Sequence, residues 1–529
     1  MAPFRILYIE CIEDFPPTIG LLRISNYLNS KKGFLRENIE EDILILGYEN
    51  LPPFNFRNIT IYRKELKKLL QDTYNKFNFD LVAISCFTSL LYTKSLEIAY
   101  TIKNFINPTC ITVIGGIHPT VYPEDFNPKK IPQYFYDYYL KKILPVNCVI
   151  RGEGEIGFYK LVKSVLNKEN ALDDYNNSFN VFTSNIIDDL NTVPLIDLSL
   201  YEKYKTQIIN DKYFNIEASR SCPYGCTFCW SSLKDVKCYN IYRTKASELY
   251  LQELCILKKG GWLDSNIVIN TGDPIFFPMR RRREKLFEKL NLMKKNLDFT
   301  NSIAIFDRIN SCSESDLRKY KDLGIWVEFG LENVSIEVLK LMNKTNSKNT
   351  ESYIMYLNKV KKVIKIANEI DLKYDFTYIF GFPGSTLKEY RDFQNFFLKK
   401  NNNKKSLIDK YNVNFSFSLY LALPSRILFD KIYHKRHGTV FFFKKWWRLF
   451  DKFSWFYRFL YKPSQDLSLE RYISEASNII KIVSKHYLEK GNPFYCKDNA
   501  SSSFYDDYFK HFFNRINEFT VQFPELSQA

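Results

Sequence analysis

No run of about eighteen apolar residues occurs in the chain, so no helix is expected to cross a bilayer. The opening, MAPFRILYIE, lacks a basic stretch, an apolar run and a small-residue cleavage site, and it reads as a strand rather than a secretory leader. The 11 cysteines are an odd number in a chain of 529 residues, which does not suit a disulfide framework. A reducing, cytoplasmic location is the expectation. No long basic arm stands out although the formal net charge is +16, because the lysines are scattered among Asn, Ile and Asp. Nucleic acid is therefore not expected as a partner. No internal repeat is found.

What is present is an ordinary globular composition, 45% hydrophobic and 25% charged, with 45 Phe and 37 Tyr available for a large core. The length suits two or three domains. Residues 1–166 alternate strands (Phe4–Glu10, Asp42–Gly47, Leu81–Cys86, Ile111–Ile114, Cys148–Arg151) with helical segments, the pattern of a doubly wound, Rossmann-like parallel sheet. Residues 167–210, rich in Asn and Asp at their start, read as a linker. Residues 211–421 alternate again, with six strands at Phe214–Ala218, Asn266–Asn270, Ser302–Phe306, Trp326–Phe329, Tyr374–Phe380 and Asn414–Leu421. That predicts a partial (β/α)6 barrel, with KKNNNKK (399–405) as a surface loop. Residues 422–529 are aromatic and read as a helical C-terminal extension. The fold class is thus α/β throughout the first two domains.

The most specific string is SRSCPYGCTFCW, residues 219–230, directly after the first barrel strand. It spaces Cys222, Cys226 and Cys229 with three and then two residues between them. Iron–sulfur clusters take thiolates from such a loop, and three ligands leave one iron open to a chelating small molecule. Two other readings exist. Cys222 and Cys238 could complete a zinc site around the Cys226/Cys229 pair, but the second C-x-x-C of a zinc ribbon is missing. Three buried structural thiols are the other. The remaining cysteines read as small buried hydrophobes.

C-x-x-x-C-x-x-C at a first barrel strand end, with Phe228 before the third Cys and with Arg220 and Pro223 beside the triad, resembles the radical S-adenosylmethionine (SAM) superfamily. The family often has Gly where Ser221 stands. The resemblance implies a 4Fe–4S cluster on Cys222, Cys226 and Cys229, with SAM at the open iron. Further strand ends resemble the family in order. Asn270-Thr-Gly-Asp273 matches the turn that holds the SAM amino group, which implicates Asp273. Glu328-Phe-Gly330-Leu-Glu332 matches the strand end whose acid holds the ribose, which implicates Glu332. Tyr378-Ile-Phe-Gly381-Phe-Pro-Gly384-Ser385 matches the glycine run beside the adenine, implicating Gly381 and Gly384. Ser385 stands where the family has Glu, with Glu389 nearby as a substitute.

Residues 1–166 resemble the cobalamin-binding domain often fused to such barrels. The strings that carry this are Ser85-Cys-Phe-Thr88-Ser89, Gly115-Gly116-Ile-His118-Pro-Thr120 and Arg151-Gly152-Glu153-Gly154-Glu155. Thr88, Ser89, Gly115, Gly116, His118, Thr120, Gly152 and Glu153 are the corrin-binding residues this implies. The familiar D-x-H-x-x-G motif is absent, so the resemblance implies a corrin without a histidine lower ligand.

Together the resemblances imply a cobalamin-dependent radical SAM C-methyltransferase that acts on an unactivated carbon through a 5′-deoxyadenosyl radical and methylcobalamin. Radical SAM cyclisation or another rearrangement, and a non-catalytic iron–sulfur or corrinoid-binding protein, are the alternatives. A small-molecule or peptide substrate and a one-electron reductant such as flavodoxin or ferredoxin are the implied partners. Phe441–Tyr461, FFFKKWWRLFDKFSWFYRFLY, reads as a helix packed on the barrel mouth with its basic residues reaching outward. An interfacial helix or a base-stacking surface are its other readings. Arg280–Arg283 reads as a solvated helix start, with an anion contact as the alternative.

Overall fold

The computed structural model describes residues 2–12, 17–34, 38–140, 143–167, 178–233, 238, 241–263, 267–272, 276–277, 279–297, 300–345, 347, 349–400, 405–454 and 456–489. Six strands form the first sheet: β1 (Phe4–Glu10), β2 (Ile39–Ile45), β3 (Leu81–Ser85), β4 (Ile111–Gly115), β5 (Cys148–Arg151) and β6 (Asn180–Thr183). All pair in parallel, in the order β2-β1-β3-β4-β5-β6. Ile6, Leu7, Tyr8 and Ile9 are all fully buried, as a sheet covered by helices on both faces requires. The order reverses at β1, so the crevice between the carboxyl ends of β1 and β3 is the topological switch point.

β6 corrects the sequence reading, which placed residues 167–210 in a linker. Asn and Asp crowd that segment, and only the short Val181-Phe182 pair signals a strand. Its pairing with β5 makes it the edge of the first sheet.

The later strands are β7 (Tyr213–Ile216), a short antiparallel ribbon of β8 (Ser219–Arg220) and β9 (Arg243–Thr244), then β10 (Val268–Thr271), β11 (Ile303–Asp307), β12 (Ile325–Glu332), β13 (Tyr374–Phe380) and β14 (Phe415–Leu419). The second sheet has the order β14-β13-β12-β11-β10-β7. Helices Ser247–Lys259, Arg280–Leu297, Glu314–Asp322, Thr350–Glu369 and Lys388–Phe393 alternate with its strands. Glu314–Asp322 starts on a capping box, with Ser313 and Asp316 each satisfying the other's backbone N–H. Along β12, Val327, Phe329 and Leu331 are fully buried, whereas Trp326, Glu328 and Gly330 are half-buried. One face of the strand is under helices and the other lines an interior, as in a partial barrel.

The chain divides into two compact units: residues 1–223, 234–303 and 447–452, and residues 224–233, 304–446 and 453–529. This division falls inside the expected barrel domain. Within the first unit, buried ion pairs from Arg23 to Glu253 and from Glu153 to Arg220 and Arg243 join the N-terminal sheet to the first barrel elements.

The C-terminal part holds helices Arg426–Phe429, Lys431–His437 and Leu469–Glu489, with an antiparallel pair β15 (Val440–Phe441) and β16 (Tyr461–Lys462). Residues 441–461 do not form the expected helix; they run through single 3-10 turns at Trp446–Arg448 and Tyr457–Phe459. Burial is nonetheless as expected, since Trp446, Trp447, Phe453, Phe456, Tyr457 and Phe459 are each at most 6% exposed. Apolar residues on all sides suit a wandering buried segment as well as a helix. Residues 490–529 and the middle of KKNNNKK (401–404) lie outside the described residues.

Candidate active site

The cysteine string forms an irregular loop. Ser221 opens it at φ +68°, the left-handed region, which gives a physical reason for glycine at that place in the family. None of Cys222, Cys226 and Cys229 is in a disulfide; Cys226 is buried and the other two are half-buried. The stretch from Tyr224 onward is fastened within the second unit. Thr227 donates through N–H and Oγ1 to the Met342 and Leu341 carbonyls at 3.1 and 2.9 Å. Asn343 Nδ2 donates to the Gly225 carbonyl at 2.9 Å, and Ile427 N–H to the Thr227 carbonyl at 3.2 Å. Ser231 Oγ donates to Cys229 Sγ at 3.1 Å. Among the described residues no three His, Cys, Asp or Glu side chains converge on one point, the geometry that a structural zinc ion requires. A cubane cluster takes each thiolate on a different iron and does not need that convergence. Thiols outside any disulfide, on a pinned and partly exposed loop where Cys226 and Cys229 accept hydrogen bonds, fit such a cluster.

A feature absent from the sequence reading lies next to Cys226. Arg308, one residue beyond the end of β11, donates through Nη1 to Cys226 Sγ at 3.0 Å. Its Nη2 donates to the Lys344 carbonyl, and its guanidinium lies 3.9 Å from the centre of the Tyr224 ring. Lys344 Nζ in turn donates to Glu332 Oε1 at 3.2 Å. The thiol of the loop and the acid at the end of β12 are therefore ends of one hydrogen-bonded chain.

Glu332 sits at φ +67° beside a break in the β12–β13 register, which turns its side chain out of the strand's alternation. Gly330 makes room for it: a Cβ there would stand 2.8 Å from Glu332 Oε1 and 3.0 Å from Lys344 Nζ. A nearly buried carboxylate beside one ammonium keeps acceptor capacity for hydroxyls, which fits a ribose.

Gly381 and Gly384 both have positive φ, +72° and +87°. Here the space beside each is occupied by the protein itself. A Cβ on Gly381 would stand 2.5 Å from Tyr472 Cδ2, and one on Gly384 2.7 Å from the Tyr433 hydroxyl. Glu389 holds the same corner. It is 1% exposed and accepts from Gly381 N–H at 3.2 Å and from Asn333 Nδ2 at 2.7 Å. Burial pushes its carboxyl up to about 8, against those hydrogen bonds. Where Ser385 replaces the family's Glu, Glu389 joins the ends of β12 and β13. Asp273 lies outside the described residues.

In the first unit the three strand ends come together as follows. Thr88 caps the turn Ser89–Leu91 by accepting from Leu90 N–H at 3.2 Å. Ser89 Oγ bonds His118 Nδ1 at 2.8 Å. His118 is fully buried, with Asp125 Oδ2 at 3.8 Å from Nε2 and the Trp447 ring 5.4 Å away. Trp447 Nε1 also donates to Asp125 Oδ2 at 2.7 Å. Gly115 ends β4, and Gly116 follows at φ +120° so close to the Cys86 carbonyl that no Cβ would fit. Thr120 Oγ1 donates to the Gly116 carbonyl at 2.7 Å and accepts from Gly152 N–H at 3.0 Å. Glu153 accepts from Ile187 N–H at 2.9 Å and pairs with Arg243 at 2.5 Å and Arg220 at 3.2 Å. The predicted residues are thus assembled, but much of their bonding capacity is used internally.

Glu10 was missed by the sequence reading. It is the last residue of β1, in register with Ser85, at the switch point. It is fully buried, Oε2 accepts from Thr18 Oγ1 at 3.1 Å, and among the described residues Oε1 meets no donor in bonding geometry although Ser85 lies beside it. Burial raises it to about 8. A buried carboxyl oxygen with spare capacity at a switch point fits a ligand rich in amides, as a corrin is. Its position directly after the apolar run Ile6–Ile9, as the final residue of β1, was the signal.

Residues 216–397 match the family model of the radical SAM superfamily. Among known proteins, the chain is 27% identical over 373 residues to an uncharacterized methyltransferase of Pyrococcus horikoshii, spanning 63% of this chain and 74% of that one. It is 24% identical over 336 residues to the bacteriochlorophyllide d C-8(2)-methyltransferase of Chlorobaculum tepidum, spanning 61% and 64%. Its fold is similar to that of TsrM of Kitasatospora setae, a radical SAM methyltransferase solved with cobalamin and a [4Fe–4S] cluster, with a TM-score of 0.56 at 14% identity over 80% of this chain and 74% of that one. Among the described residues no helix is long and apolar enough to cross a membrane. With the cysteine loop after β8 and the family match beginning on the last residue of β7, residues 216–397 are the part of the chain that is similar to the radical SAM superfamily.

Proposed function

We propose that the chain is a cobalamin-dependent radical SAM C-methyltransferase. The observation that carries this is the presence, in one chain, of the three-cysteine loop of a partial barrel and a doubly wound sheet with a spare buried carboxyl oxygen at its switch point. The methyltransferase names of its relatives and the TsrM-like fold support the same reading.

Cys222, Cys226 and Cys229 would hold the cluster, and Glu332, with Lys344 beside it, the SAM ribose. Glu10, Ser89 and the strand ends around Gly116 and Thr120 would bound the corrin. When bound, these groups supply reductive cleavage of SAM, hydrogen removal from an unactivated carbon and delivery of a methyl group. The chain's own residues orient and enclose. Glu389 and Asn333 fix the two strand ends that flank Glu332, and the buried aromatics of residues 441–461 exclude water. A small-molecule or peptide substrate and a one-electron donor of the flavodoxin or ferredoxin kind complete the proposal.

The test is anaerobic reconstitution of the full chain with iron, sulfide and hydroxocobalamin, followed by absorption spectra and bound iron and cobalt. A cluster band with stoichiometric cobalt is the expected result. Turnover with SAM, reductant and substrate should then give 5′-deoxyadenosine together with S-adenosylhomocysteine. A cluster without corrin, or turnover without S-adenosylhomocysteine, would move the assignment to radical rearrangement.

A further inference from the structure

Buried guanidinium groups normally meet a carboxylate, because an unpaired charge taken out of water is costly. Arg308 does not follow this rule. It is 7% exposed, and its bonded partners among the described residues are Cys226 Sγ and the Lys344 carbonyl. Among the described residues no carboxylate lies within ion-pair distance of it, and its buried Nε–H has no acceptor. The neighbouring Asp307 side chain is turned to the Arg308 backbone N–H, Ser311 and Tyr320. The Glu332 carboxylate is engaged by Lys344. The Tyr224 ring under the guanidinium contributes, but a ring face does not neutralise a full charge. The fold therefore holds a fixed cation, with a spare donor, against one thiol of the cluster loop.

Resting on the radical SAM assignment, we propose that Arg308 is a positioning residue that sets the reduction potential of the cluster. A cation that donates to a ligand sulfur stabilises the more negative, one-electron-reduced cluster over the oxidised one, so it raises the potential. The electron comes from the external one-electron donor, and the cluster gains one negative charge, which Arg308 faces. Cluster charge also supplies the counter-ion that Arg308 lacks. The Lys344 carbonyl anchors the guanidinium, so that its placement follows the Lys344–Glu332 pair.

The test uses the full chain, reconstituted anaerobically as wild type, R308Q, R308K and N343A. Asn343→Ala removes a neutral anchor of the same loop, so it reports loosening without loss of charge. Bound iron and sulfide are measured first, then the reduced fraction by electron paramagnetic resonance across a series of poised potentials. In R308Q the reduced-to-oxidised ratio at a fixed poise should fall about tenfold, which is about 59 mV for one electron. R308K should recover part of that shift, and N343A should stay at the wild-type midpoint. A wild-type midpoint in R308Q overturns the proposal. If R308Q binds no iron, R308K and N343A decide: a shift in R308K alone supports it, and equal shifts or none in both overturn it. A wild-type chain that binds no cluster would instead refute the superfamily chemistry, a separate result.

Discussion

Arg220 in the first unit meets three carboxylates, Glu217, Glu153 and Glu155, at 2.9, 3.2 and 2.5 Å, whereas Arg308 in the second meets none among the described residues. Arg23 and Lys245 share Glu253, and Arg243 takes Glu153, so four cations, three of them buried, and four carboxylates form a balanced set in the first unit. In the sequence Arg220 lies two residues before Cys222, and within the second unit Arg308 bonds Cys226. In the first the protein neutralises itself. In the second it leaves charge and a donor open. Closed networks define a scaffold, and open ones mark where a ligand completes the bonding.

The largest expected effect separates the two directly. R220M should leave the buried Glu155 without an ion-pair partner among the described residues, weaken the pairing of Glu153 and Glu217, and lower unfolding free energy by about 3–5 kcal/mol. R308M in the cluster-free protein strands no carboxylate and should leave the denaturation midpoint within experimental error of wild type. Chemical denaturation of both variants, without iron, measures this. Equal losses would erase the distinction between closed and open networks.

A smaller effect sharpens the comparison within the first unit, between two adjacent glycines both expected to face the corrin. Gly116 combines φ +120° with a Cβ that would press on the Cys86 carbonyl. Gly116→Ala should cost at least about 2 kcal/mol from conformation and overlap together. The ideal Cβ of Gly115 finds only the Ile150 carbonyl, at 4.0 Å. Gly115→Ala should keep wild-type stability, and any loss it shows in corrin affinity by absorbance titration then reports the ligand itself.

Two carboxyls, Glu217 in the first unit and Glu389 in the second, should also respond to pH in opposite directions. Burial favours protonation of Glu217, but Arg220, Lys245 and Arg23 outweigh it and bring the carboxyl down to about 2 from 4.5. Its contribution is fully present above pH 4.5 and is lost as pH falls through 2. Glu389 is raised by burial to about 8, so its contribution is fully present below pH 4.5 and is lost as pH rises through 8. Asp392 adds to that rise, while Asn333, Ser385 and the Gly381 amide oppose it. Stability curves for E217Q should lose slope on the acid side, and those for E389Q on the alkaline side. The same limb flattened in both variants would contradict the assignment.

The legible parts of the molecule were those written in local spacing. The cysteine string, the strand periodicities and the glycine-rich strand ends are read from a few consecutive residues, and the two six-stranded sheets follow from them. What was not legible depends on residues far apart in sequence. Arg308 lies 82 positions from Cys226, and Glu10 looks like the end of an ordinary strand until burial leaves its Oε1 without a donor. β6 was hidden by its polar surroundings. Residues 441–461 carry enough apolar side chains for burial in any conformation, so their composition predicted the core position and not the turns.

The smallest effect is Ser221→Gly, at the first residue of the cysteine string. Ser at φ +68° costs about 1–2 kcal/mol relative to an unstrained position, and glycine removes that cost. Glycine also gives the unfolded chain more freedom, which takes back about 0.4–1 kcal/mol. The net gain should be about 0.5–1 kcal/mol, seen as a modest rise in denaturation midpoint. Ser221 is 5% exposed, so its hydroxyl is not a free surface group, and removing it tests more than the backbone. If stability rises and iron content after reconstitution is unchanged, the loop tolerates serine as strain alone. If stability rises but iron is lost, the Ser221 hydroxyl takes part in holding the loop open for the cluster, and the first unit's end of the string shares the open character of the second.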